Sequence, residues 1–127
     1  MPKVLSVGQC GFDHSSIARH LHARFGAEVK AAASQVEALE ALRKGRFDLI
    51  LVNRVFDWDG APGIELIRVL KADSELSNVP VILVSNYPDA QIEAESLGAL
   101  PGFGKAELDT ARARDRLAAA LSAAPEA

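Results

Sequence analysis

The chain has 127 residues, 49% of them hydrophobic and 24% charged, with a formal net charge of −3. That length holds one core and leaves two domains cramped, the composition excludes a disordered tail, and 14 scattered Lys and Arg residues exclude the basic footprint of a DNA or RNA binder. The lone cysteine, Cys10, excludes a disulfide framework; with no long apolar span and no secretory leader, the expected setting is the cytoplasm, without membrane contact.

Five short apolar runs alternate with amphipathic stretches, the pattern of a parallel sheet covered by helices on both faces. The first strand is expected at Val4–Val7, followed by a helix from Ser15 to Phe25 that Asp13 caps and Gly26 ends, with Ile17, Leu21 and Phe25 along one face. A second strand, Glu28–Ala32, leads to a helix opened by Ser34, which presents Val36, Leu39 and Leu42 and stops at Gly45. The third strand is Leu49–Asn53, and the helix after it carries Ile64, Ile67 and Leu70 on one stripe. The fourth is Val81–Ser85, with Pro88 in the first turn of a helix reaching Leu97. The fifth is Ala99–Phe103, before a helix from Ala106 to about Leu121. Residues 1–122 read as the domain and 123–127 as a frayed tail or the start of a linker; there is no internal repeat.

Val4–Val7, Leu49–Val52 and Val81–Val84 are almost continuously apolar, as strands buried on both faces are. Pro101, Gly102 and Gly104 place the fifth strand at an edge, because proline removes a ladder donor and glycine packs nothing. A doubly wound order of 2-1-3-4-5 meets both conditions, and it sets the ligand crevice at the carboxyl ends of strands one and three.

Several landmarks around that crevice fall in register with a known family. Phe47-Asp48-Leu49-Ile50-Leu51-Val52, Asp59-Gly60 with Gly63-Ile64-Glu65-Leu66, Val79-Pro80-Val81-Ile82-Leu83-Val84-Ser85, and Gly98-Ala99 ahead of Lys105 together resemble the receiver domain of two-component response regulators, over essentially the whole chain. The resemblance implies a flavodoxin-like α/β fold with five strands and five helices. It also implies an aspartate acceptor at the position of Asn53 and two Mg²⁺-binding acids at Gly8 and Gln9. None of the three is acidic here. An amide neither attacks phosphorus usefully nor offers formal charge to a cation, and Mg²⁺ needs one or two carboxylates to be held. The family's switch aromatic falls on Gly102, its lysine-following proline on Ala106, and its small residue after Ser85 on Asn86; the loop after Asn53 reads as about two residues longer than usual.

Ser85 and Lys105 are the crevice residues retained. Lys105 is expected to pair with an amide oxygen, with Asp57 or Asp59, or with water; a sharper alternative has the Lys105, Ser85, Gln9 and Asn53 pocket accept a small anion or a partner's carboxylate. Asp57 and Asp59 read as turn formers around Trp58 rather than replacement acceptors. His14, His20 and His22 lack ligand spacing and read as surface helix positions, and Cys10 as a small loop residue. The expectation is a pseudo-receiver with no catalytic residue, no metal and no cofactor, not an enzyme, acting by protein–protein contact in bacterial signal transduction and binding no nucleic acid directly. The contact face implied by the resemblance is Tyr87, Gln91, Glu95, Gly102 and Phe103, and the free edge of the fifth strand is compatible with a homodimer. The other readings are a receiver that still answers to phosphate or another small anion at Lys105 and Ser85, and a nucleotide enzyme of the same architecture.

Overall fold

A computed structural model describes residues 1–123. Its strands β1 (Lys3–Val7), β2 (Glu28–Ala32), β3 (Leu49–Asn53), β4 (Val81–Val84) and β5 (Leu100–Phe103) form one parallel sheet in the expected order β2-β1-β3-β4-β5. The helices are α1 (Gly11–Phe25), α2 (Gln35–Lys44), α3 (Gly63–Ala72), α4 (Pro88–Ser96) and α5 (Ala111–Ser122). Strand alternation divides the core. Leu5, Val7, Ile50, Val52 and Leu83 meet α2, α3 and α4 on one face, while Val4, Leu49, Leu51, Ile82 and Val84 meet α1 and α5 on the other.

Two helix starts depart from expectation, and in α2 the buried face does. Cys10, not Asp13, caps α1: its Sγ accepts the Asp13 N–H at 3.4 Å, and the helix begins at Gly11. Asp13 is thereby free to turn toward the sheet's carboxyl edge. In α2 the cap is Ser34 as expected, but Val36 is 66% exposed, and Ala38, Ala41 and Leu42 form the buried face. Alanine lets the backbone approach the sheet closely, so the covering stripe is narrower than the large side chains suggest. Helix α5 starts at Ala111 rather than Ala106, because Thr110 caps it through the Ala113 N–H at 3.2 Å. The intervening residues Lys105–Glu107 make a single 3-10 turn, closed by the Glu107 carboxylate accepting the Gly104 N–H at 2.9 Å. Of the tail expected over 123–127, residues 124–127 lie outside the described residues.

Strand β5 lies at an edge, but that edge is not free. The Arg116 guanidinium donates to the Gly102 carbonyl. All peptide bonds among the described residues are trans, the one joining Lys105 to Ala106 included.

Candidate functional site

The carboxyl ends of β1, β3 and β4 open into a cleft of about 370 Å³, whose walls include Asp13, Asn53, Arg54, Phe56, Ser85 and Lys105. Asn53 ends β3 and is 8% exposed. Its Nδ2 donates to the Gly8 carbonyl at 2.9 Å and to the Val55 carbonyl at 2.7 Å. Two carbonyl acceptors fix the orientation of the amide, since only its NH2 end can satisfy both. Asn53 is therefore a clasp between two loops, and a carboxylate there would put negative oxygen against negative oxygen.

Gly8 adopts φ +78°, a left-handed conformation that suits glycine. A Cβ at this position would lie 2.7 Å from Phe56 Cγ, with another ring atom closer still. The Phe56 ring is only 1% exposed. It fills the space in which any side chain at residue 8 would have to stand. Gln9 is not among the cleft's walls, and both polar atoms of its amide are buried with no partner among the described residues.

The loop after β3 delivers that ring. Val55 and Pro62 form an antiparallel bridge, and the segment between them reverses at Gly60, φ +71°. Phe56 and Ala61 are tied by an N–H···O bond of 2.8 Å, and the Asp57 N–H reaches the Gly8 carbonyl at 2.9 Å. Asp59 accepts the Ala61 N–H at 3.0 Å, the turn role expected of it. Asp57 lines the cleft, and Trp58 projects from the loop at 74% exposure.

Neither Asp57 nor Asp59 meets Lys105. Its Nζ lies 2.7 Å from Asp13 Oδ2, correcting the sequence expectation. The Lys105 ammonium holds the Asp13 carboxyl below its ordinary value, against the opposing effect of partial burial and with help from the Cys10 thiol. Ser85 Oγ accepts the Tyr87 N–H at 3.1 Å, fixing the turn into α4. The Arg54 guanidinium stacks over the Tyr87 ring at 4.5 Å. The donor set fits a receiver's Mg²⁺ poorly: the Asn53 amide faces carbonyls, the Phe56 ring fills the space beside Gly8, and of the two carboxylates on the cleft wall, Asp13 and Asp57, the first is tied to an ammonium. Among the described residues no group of three or more His, Cys, Asp or Glu side chains converges as metal ligands would. His20 Nδ1 lies 3.0 Å from the Ser16 carbonyl within its own helix, and His22 is exposed.

The implied contact face is altered too. Gly102 leaves room that Gln91 takes, its Nε2 donating to the Leu83 carbonyl at 2.8 Å and the Ser85 carbonyl at 3.1 Å. A Cβ at Gly102 would press on the Leu83 carbonyl oxygen of β4 and come within 2.6 Å of Gln91 Oε1. Phe103 is 1% exposed, packed toward α1 and α5, so it cannot present its ring to a partner as expected. Tyr87 and Glu95 remain exposed, together with Ile92, which sequence reasoning passed over.

No family model matches the chain. A 50-residue stretch is 40% identical to the chemotaxis protein CheY-3 of Vibrio cholerae, covering 38% of this chain and 35% of that protein, so the match spans about a third of the curated relative's length. Over nearly the whole chain the fold is shared with solved structures. A response regulator from Thermotoga maritima aligns with a TM-score of 0.78 at 24% identity, over 96% of this chain and 98% of its own. A sensor protein from Polaromonas sp. JS666 aligns with a TM-score of 0.81 at 19% identity, over 97% and 98% respectively. The chain has the receiver fold of response regulators, a flavodoxin-like α/β architecture.

Proposed function

We propose that this chain is a pseudo-receiver: a receiver-fold module that neither takes up phosphate nor turns over a substrate, and that acts through protein contacts in a bacterial, cytoplasmic signalling pathway. One observation carries the reading. The place where a receiver's metal-binding acid would extend is filled by the Phe56 ring beside Gly8, and the acceptor position is an amide donating to two carbonyls. Supplying acids at these positions would collide with the packing rather than complete a site. Gln91 supports the reading from the output side, since its two hydrogen bonds occupy the room next to Gly102. The proposed contact face is the exposed part of that region, Tyr87, Ile92 and Glu95, with no nucleic-acid role for this chain.

The test is incubation with acetyl phosphate and Mg²⁺ followed by intact-mass measurement. No mass gain is expected. A stoichiometric phosphoryl adduct, on Asp57 for instance, would overturn the proposal. The anion-responsive alternative draws on Arg54 and Lys105 lining one cleft, but Asp13 neutralises Lys105. A phosphate titration that shifts the backbone resonances of Lys105 and Ser85 would favour that alternative, and unmoved resonances the inert one.

A further inference from the structure

The two edges of the sheet are not equivalent. Strand β5 is four residues long, carries Pro101, shifts register against β4, and has its Gly102 carbonyl covered by Arg116. Strand β2, at the other edge, has five residues, and Glu28, Lys30 and Ala31 are exposed. Its backbone orientation follows from its bonds to the first strand and the loop after it. The Glu28 N–H donates to the Pro2 carbonyl and the Ala32 carbonyl accepts the Gly8 N–H, both at 2.8 Å, so residues 28, 30 and 32 turn their polar groups inward. Val29 and Ala31 consequently aim their N–H and C=O groups out of the sheet.

Lysine on an edge strand ordinarily discourages pairing with another chain. Here Glu28 stands two residues before Lys30, on the same face. In an antiparallel pair of two β2 strands related by a two-fold axis at Val29, the Val29 residues exchange both backbone hydrogen bonds, and each Glu28 falls opposite Lys30 of the second copy. Such non-hydrogen-bonded pairs hold their side chains closest. Lys3 is Glu28's register partner on β1, but its ammonium stands over the Phe47 ring, which leaves Glu28 available to Lys30 of the second copy. Moving the axis to Lys30 sets lysine against lysine, and moving it to Ala31 leaves Lys30 opposite Ala32. The charge order thus selects one register of a symmetric pair.

We infer that β2 is a self-association edge, joining two copies of this chain through an antiparallel β2 pair centred on Val29 into a ten-stranded sheet. The contact is short, and association is weak and weakened by salt, as matched ion pairs require. Sedimentation equilibrium of the full chain over a wide concentration range at low salt tests it. The expected result is a reversible dimer, weakened at least tenfold by Glu28→Lys or by Lys30→Glu alone and restored when both are exchanged together. Val29→Pro removes an outward N–H together with a partly buried side chain, so it is read beside a melting curve; it abolishes the dimer while leaving the backbone bonds to β1 intact. A chain that stays monomeric throughout overturns the inference. So does a dimer indifferent to the charge exchanges, which would place association on another face. Amide exchange at Val29 and Ala31 that slows as concentration rises supports it, and exchange independent of concentration counts against it.

Discussion

At the residue scale, Asn53 is defined by what its NH2 group can do and a carboxylate cannot. Asn53→Asp substitutes repulsion from the Gly8 and Val55 carbonyls for two donated bonds, and we expect a loss of at least about 2 kcal/mol at neutral pH by urea unfolding. Burial beside carbonyls raises the pKa of the new carboxyl, so the folded state binds its proton more readily than the unfolded. The loss should therefore shrink as pH falls through that raised value, a trend opposite to ordinary acid denaturation. Asp13 behaves conversely. Its folded pKa is lowered from 3.8, chiefly by Lys105, so its contribution is present above that pH and is lost as pH falls through the folded value. Asp13→Asn should flatten this acid limb while costing about 1 kcal/mol or less, because the pair is partly solvated.

At the element scale, the segment from Arg54 to Pro62 is a plug with Phe56 as its stopper. Phe56→Ala should cost about 3–5 kcal/mol, the range for emptying a buried aromatic site. Gly8→Asp should cost more than about 3 kcal/mol, combining a left-handed backbone with a collision. Made together, the two should cost less than their sum by about 1 kcal/mol or more, because the deleted ring vacates the space the carboxylate needs; chemical denaturation of all four variants measures this. Strand order and every strand were legible in the sequence, since apolar runs and Pro/Gly placement are local signals that tertiary packing rarely reverses. The residues Gly8, Gln9 and Asn53 at the crevice were equally legible. What fills the space beside that glycine was not: Phe56 lies 48 residues beyond Gly8 and obeys no periodicity, and its loop was readable only as too long. Asp13 was misassigned for a related reason. A carboxylate outranks a thiol as a local cap, but a charge-assisted bond to Lys105, 92 residues away, is stronger than either.

At the scale of the whole molecule, the same observations predict indifference to magnesium. A site with a Kd of about 1 mM would add about 1.4 kcal/mol at about 10 mM Mg²⁺, enough to raise Tm by several degrees in a domain of this size. We expect no shift in a melting curve beyond that given by an equal ionic strength of NaCl. A saturable rise would mean that Asp13 and Asp57 gather around the cation once Lys105 is displaced, and would return the molecule to the metal-responsive class.

The ring beside Gly8 also governs where this sequence can go next. An acid at residue 8 is unfavourable while Phe56 stays, an acid at residue 53 is unfavourable while it must clasp two carbonyls, and removing Phe56 first leaves a hole that nothing yet fills. Each single step toward a working phosphoacceptor thus runs uphill from this sequence. On the proposed reading, the packing acts as a ratchet on its own mutational neighbourhood, each of these substitutions being opposed by the residues already in place.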